Sequence, residues 1–294
     1  MRGKRRRNPD VDLSKFNRNG NELNTNSSEL KHKVEPTAEA KTADRVDSVD
    51  SVKKTPLTRG MSMTEAIEKG KKEERKKKLF GQLWWKSELS VVFATTGVGK
   101  TVLSYQIAEA VARGTNVFDA KDGQTEFINE CGPQVVVVVD WELSLKQILT
   151  RYQNDTDESD VYSFSKNLFR VDRNSGFKFE IGDKVSDMLT KEIRLRVEEM
   201  NAEVLIIDNL SVLRNGTENS KEALPLMEYL YNLKTQLGLS ILVVAHTPKK
   251  DTIAPIHEHH LQGSAQIGNA LDGLFAIGLG PKVNDRYIKE LKQR

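Results

Sequence analysis

The chain has 294 residues, room for one large domain or two modest ones. Hydrophobic residues make up 37% and charged residues 30%, which suits a soluble core attached to something polar. No apolar run reaches the length of a membrane span. The basic start at Met1–Arg7 is not followed by an apolar segment, so no secretory signal is read. The single cysteine, Cys131, excludes an internal disulfide and a Cys-rich metal site, and a reducing, cytoplasmic setting is expected.

The net charge of +3 hides an asymmetry. Residues 1–80 carry 21 Lys and Arg against 13 Asp and Glu, and the remainder carries 24 against 29. Residues 1–60 are rich in Asn, Ser, Thr, Asp and Lys, with few large apolar groups. Such a segment cannot bury enough surface to offset the entropy of ordering, so it reads as a disordered basic tail. A basic tail on an acidic body is also one signature of an arm that contacts nucleic acid. Residues 61–79 read as a charged helix or linker, solvated or basic in its contacts along Lys69–Lys78. The compact domain is expected over 80–294, with Trp84 and Trp85 covering an edge of the core or of a nucleotide site.

From Phe80 onward the pattern alternates. Leu89–Ala94 is a strand, and Thr101–Arg113 is a helix stopped by Gly114. The five valines of Val135–Val139 mark a strand buried on both faces, as in a parallel sheet. Val185, Leu189, Ile193 and Val197 recur every four residues, which predicts an amphipathic helix over Asp183–Met200. Val204–Ile207 is another buried strand. Leu226, Leu230, Leu233 and Leu237 mark a helix ending at Gly238, with Pro225 expected in its first turn. Ile241–Ala245, Leu274–Ile277 and Tyr287–Leu291 complete the strands. The alternation predicts an α/β fold, a doubly wound and mainly parallel sheet.

Ala94, Thr95, Thr96, Gly97, Val98, Gly99, Lys100 and Thr101 follow a strand and open a helix. They fit the phosphate-binding P-loop pattern except at Ala94, which stands where the pattern has Gly. Gly97 and Gly99 let the backbone aim N–H groups at phosphate oxygens, and the helix start adds partial positive charge. Lys100 can reach the β- and γ-phosphates of ATP, and the Thr101 hydroxyl can bind Mg²⁺. Asp208 ends a buried strand at the carboxyl edge, where parallel sheets place ligands, and is the second candidate for holding Mg²⁺. Asp140 and Glu142 leave the valine strand together, and either can serve a hydrolytic water. They face the same side if the strand continues through them. His246 ends its strand where it could contact a γ-phosphate. Arg151 or Tyr152 could stack on adenine or simply pack. His257, His259 and His260 surround Glu258, but no cysteine or helical face supports a metal site there.

The pieces ATTGVGKT, VVVVVDWELS, RY, VLIIDNLSVLR, SILVVAHTPK, LQGS and YIKELKQR span roughly Phe80 to Arg294. In this order they resemble the RecA-fold P-loop ATPases, closest to the RepA-like ATPases of mobile elements and the DnaB-type replicative helicases. The resemblance implies that Glu142 is the catalytic base and that His246 senses the γ-phosphate. It also implies that Lys292 and Arg294 form an arginine finger for a neighbouring subunit. A finger in trans implies a homo-oligomer, usually a six-membered ring, with ATP between subunits. The ring-channel loops would map to parts of Leu210–Ser220 and Pro248–Leu261, where Lys249 and Lys250 could track single-stranded DNA. Such proteins continue beyond this last strand, so the sequence is expected to be cut short at Arg294. The reading is an ATP-driven DNA motor, a helicase of replication or mobilisation. Its rivals are a nucleotide-gated DNA-binding regulator that does not unwind and a recombinase filament.

Overall fold

The computed structural model describes residues 60–118, 127–174, 185–209, 220–247, 256–257, 261, 270–282 and 285–294. The segment read as a disordered tail therefore lies outside the described residues up to position 59. The helix α1 (Met63–Lys72) starts at Ser62, whose hydroxyl accepts from the Glu65 N–H, and it buries none of its side chains. The expected helix or linker over 61–79 is thus a helix only to Lys72. Lys78–Phe80 instead forms β1, which pairs antiparallel with β2 (Trp84–Trp85). Tertiary burial decides this switch. Leu79, Phe80 and Trp84 are fully buried, and Phe80 stacks on Phe127 with centroids 4.7 Å apart. Trp84 belongs to the core, and Trp85 is half-buried.

The main elements follow in chain order as β3 (Leu89–Ala94), α2 (Lys100–Arg113), β4 (Val136–Asp140), α3 (Leu145–Tyr152) and β5 (Leu168–Val171). Then come α4 (Val185–Glu199), β6 (Val204–Asp208), α5 (Ser220–Leu237), β7 (Ser240–His246), β8 (Gly273–Leu279) and β9 (Arg286–Gln293). The sheet order is β5-β4-β6-β7-β3-β8-β9. All neighbours pair in parallel except β8 and β9. Side chains alternate between the two faces. Val91, Phe93, Val137, Leu205, Ile207 and Val243 join the side covered by α4 and α5. Val92, Val138, Ile206 and Val244 join the side covered by α2 and the β1–β2 hairpin. Burial on both faces explains why the strands read as unbroken β-branched runs.

Pro225 departs from expectation. The helix α5 begins five residues before it, so the proline lies inside the helix. Its missing N–H forfeits only the bond to position 221, within the first turn and a half, while Met227, Leu230 and Leu233 downstream are buried against the sheet. Among the described residues no helix is long and apolar enough to cross a membrane.

Two glycines end helices in the left-handed region, Gly114 at φ 72° and Gly238 at φ 67°. A Cβ on Gly114 would lie 2.6 Å from the Pro133 nitrogen, whereas one on Gly238 would meet nothing within 4 Å. Gly238→Ala should therefore cost only the left-handed strain, about 1 kcal/mol. Gly114→Ala should cost clearly more, because backbone must also move. Urea unfolding of both variants checks the order.

Candidate active site

Four adjacent parallel strands end together and place the polar residues. Ala94 lies opposite His246, Asp140 opposite Asp208, and Asp208 opposite Val244 in the ladder. The loop after β3 turns through Gly97 at φ 81° and Gly99 at φ 108°, and a Cβ on either would meet nothing within 4 Å. The backbone conformation thus needs glycine, and the space above it is open, as a phosphate cradle requires. Lys100 is buried at the start of α2, and its ammonium donates to the Ala94 and Thr95 carbonyls at 2.9 Å each. Burial lowers its pKa, while the charges of Asp208 and Glu142 raise it. Both carboxylates therefore lie close enough to act on this ammonium.

Asp208 is buried at the end of β6. Burial pushes its pKa up to about 6, against hydrogen bonds from the Thr101 and Ser104 hydroxyls, the latter at 3.2 Å. Glu142 and Asp140 push it further in the same direction. A hydroxyl beside an under-compensated carboxylate is an all-oxygen donor set that fits Mg²⁺. Thr101 and Asp208 are the residues that could hold it.

The β4 strand stops at Asp140, so the alternation expected to put Asp140 and Glu142 on one side does not extend to Glu142. Asp140 turns into the protein and is fully buried, where it accepts from the Tyr105 hydroxyl at 2.8 Å. Glu142 lies on the following turn and is exposed, with its carboxylate 3.7 Å from the His246 Nε2. Between them sits Asn209, a residue the sequence reading did not single out. It is fully buried, and its Nδ2 donates to the Glu142 carboxylate and meets the His246 Nε2 at 2.7 Å. A carboxylate only accepts, which fixes the orientation of the amide and leaves Nε2 as the acceptor. The His246 proton then sits on Nδ1, which is buried and has no partner among the described residues. Burial and Lys100 lower the His246 pKa against the pull of Glu142, so the ring is neutral near pH 7. The site thus holds a neutral ring whose orientation is set through Nε2 by the Asn209 amide.

Other expected residues lie elsewhere. Gln293 pairs with Gly273, which pairs with Ser90 at the start of β3, so Lys292 and Arg294 flank the end of the sheet opposite the P-loop. They are not brought to Lys100 of the same chain. Arg286, not anticipated, reaches the P-loop instead, where its Nε donates to the Val98 carbonyl at 3.2 Å. Tyr152 packs edge-on to Phe164 and against Tyr105, and with Arg151 and Tyr162 it lines a cavity of about 720 Å³ beside α2. His257 is described and exposed, whereas His259, His260 and both expected channel loops fall almost entirely outside the described residues.

The raised Asp208 pKa has a stability consequence. A carboxyl held above its unfolded value of 3.8 stabilises the fold below that pH, and the contribution is lost as pH rises towards 6. In metal-free buffer, Asp208→Asn should therefore be more stable than the parent at pH 8, by about 3 kcal/mol, with the gap closing towards pH 4. Melts in a chelator across that range check it.

No curated protein matches the sequence. A KaiC-like protein from the hyperthermophilic archaeon Pyrococcus horikoshii superposes with a TM-score of 0.50 at 14% identity, covering 76% of this chain and 90% of that one. The shared architecture is the RecA-like fold. Residues 54–252 match the AAA domain family, well over half of the chain. The chain belongs to the AAA domain family and is a P-loop ATPase with a RecA-like fold.

Proposed function

We propose that this ATPase is a Mg-ATP-driven motor on DNA, of the RepA-like helicase kind, that works as a ring of identical subunits. The observation that carries the chemistry is the convergence of Lys100, Asp208, Glu142, Asn209 and His246 at the ends of β3, β4, β6 and β7. Main-chain N–H groups of Thr95–Lys100 and the Lys100 ammonium would grip the β- and γ-phosphates. Thr101 and Asp208 would hold Mg²⁺, which neutralises charge on the phosphate oxygens when bound. Glu142 would take a proton from water as the water oxygen bonds to the γ-phosphorus. The bond from that phosphorus to the β–γ bridging oxygen breaks, and ADP leaves with the electron pair. His246 would sense the γ-phosphate as a neutral imidazole, with Asn209 linking it to Glu142.

The position of Lys292 and Arg294 supports assembly. Four residue steps lead from Ser90 to Ala94 along β3, which at the rise of an extended chain is about 13 Å. A cation at the far end of the sheet can complete a site only in another copy, where its charge would stabilise the transition state. The basic excess in residues 1–80 and the Lys249–Lys250 pair support an acidic polymer as the track.

Glu142→Gln should keep ATP affinity within about threefold and reduce turnover by about 10²–10⁴-fold. Unchanged turnover would remove Glu142 from the role. Single-stranded DNA should stimulate hydrolysis, and forked DNA should be unwound. Hydrolysis indifferent to DNA, without unwinding, would favour the nucleotide-gated regulator. Gel filtration with ATP should give a ring mass, lost on Arg294→Ala only if that residue also holds the interface.

A further inference from the structure

Glu142 stands on a turn and not on a strand, so something must fix the turn. The Asp140 side chain, fully buried at the end of β4, has both oxygens engaged. Its Oδ1 accepts from the Glu142 N–H at 3.0 Å and the Leu143 N–H at 3.1 Å. Its Oδ2 accepts from the Tyr105 hydroxyl at 2.8 Å and from Arg170 Nε at 3.4 Å. Arg170 comes from the neighbouring edge strand, where it pairs with Val138. Its Nη2 donates to the Asp140 carbonyl at 3.1 Å and to the Leu143 carbonyl, and its Nη1 donates to Asp172 at 2.6 Å. One guanidinium therefore holds both ends of the 140–143 turn, and the carboxylate it pairs with holds the N–H groups of Glu142 and Leu143.

We infer that Arg170 and Tyr105 are positioning residues for Glu142, acting through Asp140 on the backbone of the 140–143 turn. This rests on Glu142 being the base. A buried ion pair placed only for folding would need contacts between the two side chains. Here Arg170 also reaches two main-chain carbonyls of the turn, and its planar fork is what allows a single side chain to meet them together. Lysine, a point charge, cannot. A displacement of the turn by about 1 Å is enough to cost about 10²-fold in turnover.

The test uses the full chain and compares ATP turnover and nucleotide affinity in the parent, Arg170→Lys, Tyr105→Phe, Glu142→Gln and the two double variants with Glu142→Gln. Arg170→Lys keeps the charge against Asp140 but should lower kcat by about 30–100-fold with ATP affinity within about threefold. Tyr105→Phe removes one hydroxyl and should lower kcat by about 3–10-fold. In the Glu142→Gln background neither change should slow the residual rate further, because the positioned group is already gone. Multiplicative losses there, or affinity falling in step with kcat, would make the network structural and overturn the assignment. Should Arg170→Lys fail to fold, Tyr105→Phe decides alone, and an unchanged kcat in it overturns the proposal. Parent-like turnover in Glu142→Gln, where the network is intact, would instead strike the reading of the base itself and take this proposal with it.

Discussion

The chemistry of this protein depends on one constraint: neighbouring parallel strands pair in register and stop at the same edge. The β4 and β6 strands are apolar until their last residue, where the first polar side chain stands, and β7 is apolar from Ile241 to Ala245 before His246. Ala94 faces His246 and Asp140 faces Asp208 across the ladder, so residues from distant parts of the sequence share one small volume.

Within that volume the electrostatics are deliberately unbalanced. A buried ammonium, a buried carboxylate with its pKa raised to about 6 and a neutral imidazole sit beside an exposed carboxylate. An uncompensated group of this kind costs stability and is retained where a ligand supplies the missing charge. Asp208 with Thr101 suits a divalent cation, and Lys100 over the P-loop suits the phosphate tail. By contrast Asp140, equally acidic in sequence, is fully engaged by Tyr105, Arg170 and two backbone N–H groups. Two carboxylates two residues apart thus have different surroundings, one pinned and one presented to solvent.

The edges of the sheet carry the remaining connections. On one side Arg170 of β5 ties to the turn bearing Glu142. On the other side β9 runs antiparallel, so its first residue, Arg286, reaches the P-loop while its last residues point to the opposite end. Reversing one strand is what separates these cations.

The sequence alone determined the α/β order, the P-loop and the strand that presents Asp208, because those features are local: a periodicity, a glycine spacing, a run of β-branched residues. It also marked Glu142 and His246 as candidates by their place after buried strands. Only the tertiary structure decided that Asp140 is pinned inside and Glu142 presented to solvent, because that hangs on where β4 stops and on Tyr105 and Arg170, which come from other elements. Asn209 was invisible for the same reason, an ordinary residue after Asp208 until β4 and β7 bring Glu142 and His246 to either side of it. Local pattern specifies which elements form; the partners of a buried polar group are set by the packing between them.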